Sequence, residues 1–443
     1  MVDTVEQSPA LPSRIVRVPG AATTAAPAIV LDLGVNGLGV VRSLGRKGVR
    51  VTGVVYIERG VAVHSRYCEV ASLPDIEAGE EEYLSRLLSL CRAMDAPPVL
   101  FPTSDESVEF LSRYAEALAP SALIVSPERR TMLDVLNKDL TARMARECGV
   151  EMPTTHIVSS VAELREAAPR MRYPILFKPR NHYEVRLPGR AKNLTFQGSA
   201  ELTAFFSIHP QLAGQGIFQE IIVGGDGHIL VCAAYFDRNS RPLAVYTGRK
   251  IRQLQPDFGV TSFGLSENLP EIADRTIGFL EKIRFRGLAA VEYVQDRTTG
   301  QVFFLEINAR AYYHNALFAA CGVNLPWIAY LDAVNHPALK REIMPRQRYG
   351  VRWLDFARDA RSFRRKHRAG QLGWSPWLRS LPGARSFAVF AFDDLRPFLY
   401  GGAKLAWRQV GKTTGRIHAH RTEKPAPQSS LPAGERHAPS RVH

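Results

Sequence analysis

A chain of 443 residues, 45% hydrophobic and 23% charged, can bury a large core and is expected to divide into roughly two or three domains. No apolar run approaches the ~18 residues of a spanning helix, which sets a helical membrane protein aside. The formal net charge of +14 points to an anionic substrate, an anionic membrane surface or nucleic acid, with a plainly solvated basic face as the bland alternative.

Met1 to Pro27 is rich in Ala, Pro, Thr and Ser, lacks a charged-then-apolar leader pattern, and is expected to be a disordered arm. From Ala28 strand and helix alternate. Strands are predicted over Ala28 to Leu33, Val51 to Tyr56, Val99 to Phe101 and Ala122 to Ser126. Helices are predicted over Gly39 to Lys47, Glu80 to Met94 and Asp105 to Leu118. Such alternation implies a doubly wound parallel sheet with helices on both faces. The turn Gly34-x-x-Gly37-x-Gly39 resembles a dinucleotide fingerprint with shifted spacing, and Glu58 lies where a ribose-binding acid would be. The same glycines also suit a plain tight turn.

A helix over Asp139 to Cys148 stops at Gly149, and Pro153 follows, so a domain boundary is expected near residue 136 or 150. A strand over Pro174 to Pro179 carries Lys178 behind the apolar run Ile175-Leu176-Phe177; a lysine there must find an anion or reach solvent. A helix over 199–209, strands over 217–222 and 228–236, and a strand carrying Arg249, Lys250 and Arg252 come next. Period-two alternation puts Lys250 and Arg252 on one face, suited to a phosphate or carboxylate. A helix over Ile272 to Arg284 leads into a hairpin of Leu288 to Val294 and Gln301 to Ile307, and two apolar helices, Asn315 to Ala320 and Pro326 to Val334, follow.

That hairpin is the most informative part of the chain. Glu306 and Asn308 share a face of one strand, and Glu292 lies on its partner. Two carboxylates and an amide form a hard oxygen set suited to Mg²⁺, which usually shares its shell with water and nucleotide phosphates. Arg310 continues the same face, placed to neutralise a transferring phosphoryl group.

Beyond residue 345 the pattern weakens. Trp353 to Phe356, an Arg-rich run from Arg358 to Arg368, and Trp374, Trp377 and Leu378 read as amphipathic helix and loop, a segment suited to weak contact with anionic lipid. Asp393-Asp394-Leu395-Arg396 looks like a motif without an evident chemistry. Lys424 to His443 is expected to be disordered. The five cysteines are scattered and lack metal-ligand spacing, which suits a reducing cytoplasm.

Glu292 followed by Leu305-Glu306-Ile307-Asn308-Ala309-Arg310 resembles the metal-binding end of the ATP-grasp carboxylate–amine ligases. Asn36 to Gly45, Phe101 to Glu106, Asn137-Lys138-Asp139, Phe177 to Arg180 and Thr247 to Gln253 extend the likeness, in order, from about Ile29 to about Val334. It is closest to a bacterial branch that includes D-aspartate ligases. The resemblance implies a pre-ATP-grasp domain at 28–136 and a two-lobed α+β ATP-grasp domain at 137–345. The lid lobe would span about 154–222 and the metal lobe about 223–345, followed by a basic extension at 346–423 and the tail at 424–443. It implies ATP and Mg²⁺, with Mn²⁺ as an alternative metal. Lys138 and Lys178 would meet phosphates, Gln219, Glu220 and the backbone of Ile222 the adenine hinge, and Asp226 the ribose. Glu292, Glu306 and Asn308 would hold metal, and Arg310, Lys250 and Arg252 would serve catalysis. Asn36, Ser104 and Asp105 would help seat substrate. A basic loop, Asn181 to Gly198, stands where the family has a Gly-rich lid.

The expected reaction activates a carboxylate, such as that of an amino acid, as an acyl phosphate and joins it to an amine. Expected partners are those two small molecules and a peripheral anionic surface on the inner face of the membrane, but no nucleic acid; a homodimer is left open. Two other readings stay open: an ATP-binding regulatory or scaffold protein without turnover, and an NAD-dependent enzyme using the Gly34 turn.

Overall fold

The computed structural model describes residues 26–55, 60–180, 185–188, 191, 193–255 and 259–402. Glu58, the arm through residue 25, much of the loop after Asn181, and the extension and tail from 403 onward lie outside the described residues. Met1–Phe398 form one unit and Leu399–His443 a second.

The first sheet holds β1 (Ala28–Leu31), β2 (Val51–Val55), β3 (Glu69–Ser72), β4 (Val99–Pro102) and β5 (Leu123–Ile124), all parallel, in the order β3-β2-β1-β4-β5. β1 lies between β2 and β4, so the crossovers diverge there and a crevice opens at the carboxyl ends of the strands. The helix after β1 begins at Val35, earlier than expected, and takes the glycines inside it. A Cβ on Gly37 would lie 2.2 Å from the Asp32 carbonyl oxygen, and one on Gly39 would lie 2.9 Å from the Cβ of Asn315. The glycine run is therefore a packing surface toward both the first sheet and the helix Asn315–Ala320.

A small antiparallel sheet follows: β6 (Thr155–Ile157), β7 (Ile175–Pro179), β8 (Leu194–Phe196) and β9 (Gly216–Glu220), in the order β6-β9-β7-β8. It has its own core, which includes Phe177, Phe196, Phe206 and Phe218. The third sheet has seven strands: β10 (Ile229–Phe236), β11 (Pro242–Gln253), β12 (Thr261–Ser266), β13 (Gly287–Gln295), β14 (Val302–Asn308), β15 (Arg352–Leu354) and β16 (Ala384–Phe387). β10 is buried on both faces. Leu230, Cys232, Ala234 and Phe236 pack under the helix Pro270–Lys282. Val231, Ala233 and Tyr235 join one core with Val30, Val40 and Leu44 of the first domain. Period two thus ties the two domains through one strand.

The stretch after 345 is built into this sheet rather than appended to it. β15 pairs with β12, β16 pairs with β15, and the helix Phe356–Arg368 packs on β11 and β12. Trp353 is a buried strand residue, and Trp377 stacks on Phe363 inside the protein, so the expected amphipathic face reduces to the basic helix surface and Trp374. The Asp393-Asp394 motif is a clamp. Buried Arg42 donates to Asp394 at 2.9 Å, Ser65 donates to the same carboxylate at 2.7 Å, and Arg46 and Tyr67 hold Asp393.

Candidate nucleotide and metal site

The hairpin β13–β14 sets Glu292 directly opposite Glu306. A register shift at Leu305 makes this possible. Without it Phe304 and Glu306 would share a face; with it Phe304 enters the core while Glu306 and Asn308 join the face of Glu292. Two carboxylates opposed across strands repel unless cations intervene. Lys250 reaches Glu292 at 2.5 Å, and the Tyr312 hydroxyl donates to its other oxygen. Burial, reinforced by the Glu292 charge, pushes the Tyr312 phenol far up, so it remains a donor.

Glu306 sits in the wall of a concave cleft, enclosed by protein yet open to water along one side. Enclosure alone would push its carboxyl up; Lys178, Lys250 and Lys138 outweigh that and hold it below the ordinary value. Its contact with the Asn308 amide is long, 3.4 Å. Lys178 is buried at the end of β7 and donates to the Gln219 side-chain oxygen at 2.7 Å, while Gln219 donates to Thr155 at 3.0 Å. Burial lowers the Lys178 pKa to about 8; Lys138 pushes the same way, and Glu306 and Glu292 oppose them. Lys138 follows the cap residue Asn137 and donates to the Pro179 carbonyl at 3.2 Å.

Arg310 links the cleft to the first domain. It donates to Asp105 at 2.5 Å and to Asn308 at 3.0 Å. Burial would lower its pKa, but Asp105 more than compensates, so the guanidinium stays charged. Asn36 donates to the carbonyls of Thr103 and Ala311. Ser104 caps the helix Asp105–Arg113 through a box with Ser107. The hairpin, Lys138, Lys178 and the carboxyl edge of the first sheet therefore meet at one place.

Three expected residues are placed elsewhere. Arg252 does not share a face with Lys250, because the register shifts by a residue between them. It makes a two-pronged pair with Asp359 at 2.8 and 2.9 Å, donates to Ser380 and stacks over Phe263. Asp226 accepts from Lys366 and from the Gln253 amide. Glu220 accepts from the Thr154 amide and anchors the end of β9 to the strand beside it. Ile222 lies in the link between β9 and β10, as expected of a hinge. Sequence reasoning missed Thr155, Tyr312, Asp359 and Lys366. Only Tyr312 carried a signal, two residues beyond Arg310 on the same alternation.

The oxygen set fits Mg²⁺. Two opposed carboxylates beside an amide present hard ligands, and three lysines provide a surplus of positive charge that phosphates would balance. Among the described residues, no group of three or more His, Cys, Asp or Glu side chains converges on a metal position, so water and phosphate would complete the shell.

No family model matches the chain, and no curated protein matches it in sequence. Solved structures do match. The biotin carboxylase domain of the Hydrogenobacter thermophilus 2-oxoglutarate carboxylase, solved with MgADP, ADP and bicarbonate, is 15% identical, with a TM-score of 0.56 over 74% of each chain. The ADP complex of PurK, an N5-carboxyaminoimidazole ribonucleotide synthetase, is 10% identical, with a TM-score of 0.55 over 76% of this chain and 82% of its own. An L-amino acid ligase from Bacillus licheniformis is 16% identical, with a TM-score of 0.54 over 72% and 77%. The chain has the ATP-grasp fold. The mixed α/β architecture expected from the sequence stands. Among the described residues no helix is long and apolar enough to cross a membrane.

Proposed function

We propose that the protein is an ATP-dependent carboxylate–amine ligase. The observation that supports this most is the charge balance of the cleft: Lys138, Lys178 and Lys250 surround Glu306, and the hard oxygens of Glu292, Glu306 and Asn308 stand beside them. Lys138 and Lys178 would bind the phosphates, Gln219 and the backbone of Ile222 the adenine, and Arg310 the transferring phosphoryl group. Lys250 and Tyr312 would hold Glu292 in place. Mg²⁺, or Mn²⁺ in its stead, would neutralise phosphate charge when bound. Asp226 can meet a ribose once Lys366 yields it, whereas Arg252 is a framework residue.

The substrate carboxylate attacks the γ-phosphorus and ADP leaves, giving an acyl phosphate. The amine lone pair then attacks the carbonyl carbon, the bond to phosphate breaks, and the nitrogen loses a proton. Positioning and charge neutralisation suffice for such a transfer. The likeness to the branch that includes D-aspartate ligases favours an amino-acid carboxylate and a cytoplasmic setting. A dinucleotide reading is disfavoured, because the Asp32 carboxylate already takes the Gly34 amide that a pyrophosphate would need. The helix Phe356–Arg368 exposes Arg361, Arg364, Arg365 and Arg368 beside Trp374, which favours peripheral contact with anionic lipid.

With Mg·ATP and candidate amino acids or small dicarboxylates, hydroxylamine should trap a hydroxamate with equal amounts of ADP and phosphate. Arg310→Ala should suppress all three. AMP and pyrophosphate would instead mean adenylation, and nucleotide binding without product would mean a regulatory protein.

A further inference from the structure

A cavity of about 340 Å³ opens at the carboxyl edge of the first sheet, lined in part by Asp32, Asp75, Glu77, Tyr83 and Glu106. It lies at the crevice created where β1 separates β2 from β4. Four of its lining side chains are carboxylates, and none is Lys or Arg. In a chain of net charge +14 this is a locally reversed field. The carboxylates do not gather tightly enough to hold a metal ion, so they suit an extended organic cation better than a point charge.

Tyr83 gives an independent reason to expect a ligand. It is 6% exposed, lines the cavity, and among the described residues its hydroxyl has no hydrogen-bond partner. A hydroxyl without a protein partner in the cavity wall is free to donate to or accept from a bound ligand. At the rim, Arg186 approaches Glu77 at 3.8 Å, so the chain already brings one of its own guanidinium groups to this field. The cavity also borders the cleft. Ser104 in its wall precedes Asp105, the partner of Arg310, and Arg310 acts electrostatically on Asp32.

We propose that this cavity binds the amine substrate and selects one carrying a second cationic group, such as a diamine or a diamino acid. One nitrogen would reach toward Arg310 and the activated carboxyl while the other is held among Asp75, Glu77 and Glu106. The role as acceptor rests on the ligase reading; the binding of a dication does not. The acidic lining also assigns the opposite substrate, the carboxylate, to the lysine-rich side of the cleft.

Calorimetric titration of the full chain with 1,5-diaminopentane, butylamine and glutarate tests this without turnover. The diamine should bind at least about tenfold more tightly than the monoamine, as one added charge-assisted contact implies, and glutarate should not bind at this cavity. Glu106→Gln and Tyr83→Phe should each weaken the diamine, by about tenfold and a few-fold respectively, while Mg·ATP affinity stays as in wild type. Butylamine bound as tightly as the diamine, or diamine affinity unchanged in both folded variants, overturns the proposal. Diamine binding in a protein that never forms ADP leaves the cavity standing and removes the ligase reading. Hydroxamate and ADP formation in a protein that ignores diamines does the reverse.

Discussion

Two charged clusters, one on each side of Ile251, behave in opposite ways: the first is buried and the second opens to water at Glu306. Around Arg252 the charges are matched and closed: Asp359 takes two of its donors, Ser262 and Trp377 donate to the same carboxylate, and Ser380 takes a third arginine donor. Around Glu306 the balance is incomplete: three lysines bear on its carboxylate, whose hydrogen-bond partner among the described residues is a long amide contact. The first cluster joins the C-terminal helix to β11. The second holds charge in readiness for something the protein does not itself supply. Completeness of pairing, together with access to water, separates framework from site.

The largest effect should come from opening the closed cluster. Arg252→Ala strands Asp359 without its cation and should cost about 3–5 kcal/mol of stability, measured by urea denaturation; a loss below about 1 kcal/mol would mean that the pair is not structural. Glu306→Gln should do the opposite. Turnover should fall at least ~100-fold with stability changed by no more than about 1 kcal/mol, read from ADP release and the same denaturation curve. Near-normal turnover in that variant would remove Glu306 from the metal site.

A pH titration probes the second cluster more gently. Because the Lys178 pKa is lowered to about 8, its charge disappears in the folded protein as pH rises past that value. Mg·ATP affinity should fall over the same range, and binding near pH 8 should take up protons, visible as a buffer-dependent heat. The sign for stability follows. Between about 8 and ~10.4 the unfolded lysine binds more protons than the folded one, so this group makes stability rise with pH there. The smallest effect concerns the exposed face of the same C-terminal helix. Cosedimentation with anionic vesicles at low ionic strength should exceed that with neutral vesicles and vanish with salt; equal recovery would reduce the Arg run to a solvated surface.

Much of the site was legible in the chain. Lys178 behind an apolar run, and Glu306 and Asn308 two residues apart on one face, follow their spacing, although a register shift at Leu305 is what turns that face toward Glu292. Arg252 and Asp226 did not follow their spacing. A one-residue register shift redirected the first, and Lys366, far along the chain, took the second. The acidic cavity was not legible either, since Asp32, Asp75, Tyr83 and Glu106 come from four separate segments that only the parallel sheet gathers.

Local pattern determined what is periodic: the alternation of strand and helix in the first domain, the hairpin of β13 and β14, and the two-faced burial of β10. Those follow from side-chain periods of two and 3.6, which act between near neighbours in sequence. Tertiary structure decided what depends on register and on distant partners. It made the segment after 345 two more strands of the third sheet, and the Asp393-Asp394 pair a clamp on Arg42 and Arg46. A carboxylate looks the same in sequence whether an arginine three hundred residues away closes it or nothing does. Only the packing of the strands fixes which charges are left to meet a ligand.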